Sequence, residues 1–186
     1  MSEWSKKRRV MRHYDRIAKI YERQYAEEQE AKINAVLPYV RLNEKSSILD
    51  VGCGTGILFP SVAAKARSLI GIDISIRLLQ KAKQYTKEIS NAHIIVADSD
   101  YLPFQDNVFN LVFAITLLQN MPNPLATLEE MKRTSQSQAI IAVTALKKEF
   151  SEEEFARLLV NTQLEILTIK TDEKIKDYAA ICRLTK

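Results

Sequence analysis

Three of the chain's four glycines fall within five residues, in Asp50-Val51-Gly52-Cys53-Gly54-Thr55-Gly56. The apolar run before them, Ile48 to Val51, reads as a buried strand. An apolar, alanine-bearing stretch follows and reads as a helix to about Lys65, with Pro60 tolerated in or near its first turn. Glycine adopts positive φ and lets a ligand approach the backbone with no Cβ in the way. A strand, a glycine cluster and a helix in that order make a binding turn, and the rest of the chain has to fold around it.

The spacing narrows the ligand. A dinucleotide fingerprint requires a third glycine where Ile57 stands, and a P-loop requires Lys and Ser or Thr where Ile57 and Leu58 stand. No basic residue beside the turn neutralises a pyrophosphate. Instead an acid, Asp50, ends the strand. Ser68 to Asp73 is a second buried strand ending in an acid, with Ser75 as N-cap of the helix behind it. Ala92 to Ala97 is a third, followed by Asp98 and Asp100. Phe109 to Ile115 and Ala139 to Ala145 are the fourth and fifth strands, with a helix from Leu125 to about Thr134 between them. Ser151 to Glu154 is a capping box, and Leu164 to Ile169 and Tyr178 to Leu184 close the chain across the charged 171–174 loop.

Strands alternating with helices predict an α/β fold. The sheet is doubly wound, mostly parallel and seven-stranded, with helices on both faces. The last strand follows too short a loop for a crossover, so it runs antiparallel. Ligands bind outside the carboxyl ends of such strands. Asp50, Asp73 and Asp98 end successive strands and so share one crevice. Asp73 has the interval from the glycines expected of an acid that holds ribose hydroxyls, and Ile74 offers a purine an apolar face.

Asp50 to Gly56 closely resembles the glycine-rich motif of class I (Rossmann-like) S-adenosylmethionine-dependent methyltransferases. Ala97 to Phe104, then Phe109 to Val112, is similar to the acid-to-Leu-Pro-Phe pattern of the ubiquinone and small-molecule branch. Tyr14 to Tyr21 resembles that branch's leading helix. The resemblance runs from about Tyr14 to Met131, with Asn110 standing where the family usually has Asp. It implies S-adenosyl-L-methionine as cofactor, with Asp50 near its ammonium group and Asp98 on the adenine amino group. It also implies Ser99 against the ring and Tyr14 and Tyr21 closing over the site. Gly52, Cys53, Gly54, Gly56 and Ile115 complete the expected contacts. The side chain of Cys53 reads as packing and not as a nucleophile.

Catalytic candidates are weak: Gln119 and Asn120 after the fourth strand, and His13 on the N-terminal arm. Asn120 is followed by Met121 and not by the Pro-Pro-aromatic run of many nitrogen methyltransferases. Cysteines and histidines are two each and scattered, which suggests neither a disulfide scaffold nor a metal site.

Charge is uneven. Residues 1–25 hold eight basic and three acidic residues, a net +5, while the remainder carries −1. Residues 1–45 are expected to form a basic arm and lid helices, and 46–186 the cofactor-binding domain. Residues 1–9 read as disordered, a helical period begins at Val10, and a second amphipathic piece spans Glu27 to Tyr39. The cluster Lys6 to Arg9 suggests a phosphate-bearing acceptor, RNA or a translation protein, with a small helper subunit possible at a sheet edge. A small-molecule acceptor is the alternative, and a non-catalytic cofactor-binding protein or scaffold the alternative of another class. The missing third glycine argues against a nicotinamide oxidoreductase. No apolar run approaches the ~18 residues of a membrane span, and a cytoplasmic location is expected.

Overall fold

The computed structural model describes residues 2–173 and 175–185. Lys174, at the end of the charged loop, lies outside the described residues. Seven strands form one sheet: β1 (Ser47–Val51), β2 (Ser68–Asp73), β3 (Ala92–Val96), β4 (Phe109–Ala114), β5 (Ser135–Leu146), β6 (Leu164–Lys170) and β7 (Asp177–Leu184). Their order is β3-β2-β1-β4-β5-β7-β6. Neighbours from β3 to β5 pair parallel, and β7 runs antiparallel to both β5 and β6. The expected α/β sheet with an antiparallel last strand is the fold observed.

Side chains alternate between the two faces of each strand, and the core divides accordingly. Leu49, Val51, Val112 and Ala114 pack with Leu128 and Met131 of α5 (Pro124–Thr134) and Phe155 of α6 (Glu152–Asn161). Ile48, Leu111 and Phe113 pack on the opposite side with Val36 of α2 (Tyr21–Val36), Phe59 of α3 (Phe59–Val62) and Leu79 of α4 (Ile76–Glu88). Ser75 caps α4 through the Leu78 amide, and Ser151 and Glu154 form the anticipated capping box of α6.

Two local expectations are corrected. The stretch after the glycines is not one helix to Lys65: α3 ends at Val62 and a 3-10 turn covers Ala63–Lys65. Residues 3–9 are not disordered but belong to α1 (Glu3–Ile17), capped by the Ser2 hydroxyl. A run of like charges opposes a helix in isolation. Here tertiary contacts overcome it: Lys6 Nζ donates to the Met121 carbonyl (2.9 Å) and Lys7 is buried against two carboxylates. Among the described residues no helix is long and apolar enough to cross a membrane.

Gly71 in β2, the one glycine outside the turn, sets how closely the turn can pack on the sheet. A Cβ there would lie 2.5 Å from Phe59 Cζ and 2.8 Å from Cys53 Sγ. Gly71→Ala is therefore expected to destabilise the chain by about 1–3 kcal/mol through overpacking, read by urea denaturation. Combining it with Phe59→Leu should recover part of the loss; additive losses would place the strain elsewhere.

Candidate cofactor and active site

Strand order reverses between β1 and β4, where open α/β sheets bind ligands. A cleft of about 630 Å³, counting its mouth, lies there. Gly52 and Gly54 reach it from the turn after β1, Asp73 and Ile74 from β2, and Asp98 and Ser99 from the segment after β3. Ile115 and Asn120 follow β4, and Tyr14 and Tyr21 come from α1 and the start of α2. Gly52 has φ of 75°, and a Cβ there would touch Leu117 at 3.0 Å. That position requires glycine both for its backbone and for the space.

Asp73 fastens the turn to the next helix. Its carboxylate accepts the Gly54 amide at 2.9 Å and the Ser75 amide at 2.8 Å. Burial raises its pKa to about 6 despite those bonds. Asp50, Cys53 and Thr55 line an adjoining recess of about 370 Å³ with Gly52, Gly54, Tyr21 and Ile115. Burial, with Asp73 adding repulsion, pushes the Asp50 carboxyl to about 8. Asp50 accepts no hydrogen bond from any described residue, and the buried Thr55 hydroxyl has no partner among them. A buried acid without a donor beside an unpartnered hydroxyl suits a cationic, polar group. The ammonium end of an amino-acid-bearing cofactor is such a group, so the residues present fit S-adenosylmethionine.

Asp98 is engaged from above. Lys7 Nζ reaches both of its oxygens (2.8 and 2.7 Å) and Asp100 Oδ2 (2.5 Å). Burial works against the Lys7 charge, but the two carboxylates outweigh it and hold its pKa above the ordinary value. Thr127 donates to the other oxygen of Asp100. Two members of the Lys6 to Arg9 cluster thus serve the fold. That corrects the expectation of a compact four-residue phosphate site.

The sequence reading missed a second group of residues around Thr116. This β-branched residue has φ of 61°, a conformation such side chains rarely adopt. Its amide donates to Thr144 Oγ1 (2.8 Å), and its hydroxyl lies between Gln29 Oε1 (3.0 Å) and Lys32 Nζ (2.9 Å). Asn120 Nδ2 donates to the Thr116 carbonyl (3.0 Å) and to Tyr14 Oη (3.1 Å). Lys32 Nζ lies 3.0 Å from Asp177 Oδ1, both fully buried, and Thr144 donates to the other Asp177 oxygen. The left-handed turn after β4 is held by side chains of α2 and β5 and by Asn120 just after it. The lone sequence signal was a lysine flanked by apolar residues in a helical stretch, Ala31-Lys32-Ile33.

Three expected site residues line neither the cleft nor the adjoining recess. A Cβ on Gly56 would meet Tyr85, Ala82 and Phe59 within 3.4 Å, so its small size serves the seating of the turn on α4. Gln119 lines neither cavity, and its Oε1 is buried without a partner. His13 edges onto Tyr14 (5.3 Å) in a separate surface hollow with Arg9 and Arg16, because α1 presents Tyr14 and not His13 to the cleft. No cluster of metal-ligating side chains occurs among the described residues.

A family model described as a methyltransferase domain matches residues 42–180. The chain belongs to the methyltransferase domain family. Family members of this architecture use S-adenosylmethionine, the cofactor the recess fits. A malonyl-[acyl-carrier protein] O-methyltransferase of Marinomonas sp. (strain MWYL1) is 29% identical over 152 residues, 80% of this chain and 55% of that protein. A demethylmenaquinone methyltransferase of Staphylococcus saprophyticus is 35% identical over 101 residues, 53% of this chain and 43% of that one. The chain spans about half the length of these curated relatives. Among solved structures, an S-adenosylmethionine-dependent methyltransferase from Aquifex aeolicus superposes with a TM-score of 0.74 at 21% identity, covering 82% of this chain and 89% of its own. A putative methyltransferase in complex with the Trm112 activator of Haloferax volcanii gives 0.82 at 15% identity, covering 95% and 98%. At these identities the two superpositions describe the fold alone.

The buried acids carry a pH prediction. Ordinary aspartates ionise near pH 3.9, whereas Asp73 and Asp50 do so near 6 and 8 in the folded chain. Over that interval the folded chain holds more protons than the unfolded one, so stability falls as pH rises. The Asp50→Asn chain should melt closer to its pH 5 temperature at pH 8 than the parent does, while binding cofactor more weakly. An unchanged pH slope in thermal denaturation would remove Asp50 as its source.

Proposed function

We propose that the chain is an S-adenosylmethionine-dependent methyltransferase acting on a small acceptor with an acidic nucleophile. The observation that carries this reading is the single cleft in which the glycine turn, Asp73 and Asp98 meet the roof supplied by α1. When bound, the cofactor supplies an electrophilic methyl group and its leaving group. Asp50 is suited to its ammonium group, and Asp73 has lone pairs left for ribose hydroxyls. Lys7 must yield an oxygen of Asp98 for the adenine amino group.

The chain's own contribution is alignment and exclusion of water, which can remove roughly 7–11 kcal/mol of a barrier. Tyr14 and Tyr21 close the cleft, and burial raises both phenol pKa values, so neither serves as a base near neutrality. Residues 115–121, the strip after β4, contain no titratable side chain. Asn120 donates to Tyr14 and Thr116, leaving its carbonyl oxygen to receive an acceptor's hydrogen. With no titratable side chain in that strip, the site suits a nucleophile that arrives already ionised, as a carboxylate, an enolate or an acidic phenol does. Relatives named as malonyl-[acyl-carrier protein] O-methyltransferase and demethylmenaquinone methyltransferase support a small acidic group as acceptor. Nothing in those relatives supports RNA, and Lys6 and Lys7 are already engaged.

Titration calorimetry should show saturable binding of S-adenosylmethionine and S-adenosylhomocysteine, weakened roughly tenfold to a hundredfold by Asp73→Ala, since a charged hydrogen bond contributes about 1.5–3 kcal/mol. Absence of binding, or binding of NAD instead, overturns the cofactor. Labelled methyl transfer into extract fractions should appear in the small acidic molecules and rise with the acceptor's own ionisation. Label confined to RNA or protein overturns the acceptor class, and binding without transfer to any fraction favours a non-catalytic cofactor-binding protein.

A further inference from the structure

Helix α1 has two faces. Lys7, Val10 and Tyr14 line the cleft. On the other side Arg8, Arg12 and Arg16 recur at four-residue intervals, about 6 Å apart along the axis. Arg9 lies beside them, and Arg77 joins them from the first turn of α4. These five side chains surround a solvent-open groove of about 1450 Å³. All five are exposed, and none makes an ion pair or side-chain hydrogen bond among the described residues. Arg133 and Arg183, by contrast, are paired with Glu130, Asp106 and Glu165.

The only acid lining the groove, Asp15, makes no ion pair with them among the described residues. Asp15 Oδ1 accepts the Ser75 hydroxyl (2.6 Å) and the Arg77 amide (3.3 Å). That contact fixes α1 on α4 and so holds Arg12 and Arg16 near Arg77 against their mutual repulsion. The chain's single tryptophan, Trp4, precedes Arg8 by one turn and is 51% exposed.

We infer that this outer face of α1 docks on an anionic phospholipid bilayer, the arginines meeting headgroup phosphates and Trp4 entering the interface. Four or more basic residues on an amphipathic helix, with an aromatic at the margin, match such surfaces. Charge alone would suit any polyphosphate. Trp4 at the end of the arginine row favours a partner with an apolar interior. So does the cleft beneath the same helix, which Val10, Leu117 and Met121 line with apolar surface. Docking along α1 would place the helix that roofs the cleft against the bilayer. The inference concerns binding and stands whether or not methyl transfer is observed.

Flotation with vesicles of equal parts phosphatidylglycerol and phosphatidylcholine tests it, with pure phosphatidylcholine vesicles as control. The chain is expected on the anionic vesicles only, with a blue shift of Trp4 fluorescence and weaker binding as salt rises. Arg8→Gln/Arg12→Gln/Arg77→Gln should lose roughly a hundredfold in vesicle affinity, at about fivefold per charge. Its calorimetric affinity for S-adenosylhomocysteine should be unchanged, which also shows that the variant folds. No binding to anionic vesicles, unaltered binding by the triple variant, or binding of a single-stranded oligonucleotide without vesicle binding would each overturn the inference.

Discussion

The carboxylate of Asp73 is the joint of this molecule. One oxygen receives the amide of Gly54 and the other that of Ser75, so a single side chain fixes the turn after β1 relative to the start of α4. Ser75 then caps α4 and donates to Asp15, which brings α1 to the same point. The turn, a covering helix and the roof of the cleft all take their positions from that carboxylate. It is buried, its pKa is raised, and its charge adds to the burial that raises the Asp50 carboxyl. Two acids crowded in this way favour a cationic ligand. The free chain tolerates them by keeping protons on the more deeply perturbed one at neutral pH.

The turn after β4 is held by a different device. Thr116 sits in a left-handed conformation that β-branched residues avoid, and four hydrogen bonds fix it there. Behind it the Lys32–Asp177 pair is wholly buried. Such pairs offset their desolvation only when their remaining donors and acceptors are occupied. Glu28 and Thr116 meet the remaining Lys32 hydrogens, and Thr144 occupies one Asp177 oxygen. Strain concentrated at a strand end beside a ligand cleft, with a rigid polar network behind it, is the expected form of a positioned site.

Helix α1 joins these parts to the surroundings. Its inner residues engage Asp98, Asp100 and the Met121 carbonyl across the cleft. Its outer arginines make no ion pair among the described residues. Because both faces belong to one rigid helix, whatever the outer face meets in solution acts on the same element that covers the cofactor site.

Local order settled much of this in advance. Glycines at alternate positions after an apolar run, an acid at each of three strand ends, and alternating strand and helix patterns were enough to determine the sheet, the binding turn and Asp73 and Asp98 at the cleft. Those signals are local: backbone freedom, period of burial and strand-end chemistry are all written within a few residues. What the sequence could not decide depended on residues far apart in the chain. Lys7 pairs with Asp98 across 91 positions and Lys32 with Thr116 across 84. A basic run that locally reads as a solvated tail therefore becomes an ordered helix. His13 and Tyr14 are neighbours in sequence, yet helix rotation and the packing of α1 on α4 send only Tyr14 to the cleft. Gly56 belonged by pattern to the ligand turn, but the positions of Tyr85, Ala82 and Phe59 made it a packing residue. Tertiary packing decided these because the energy of each placement lies in a partner that no local window contains.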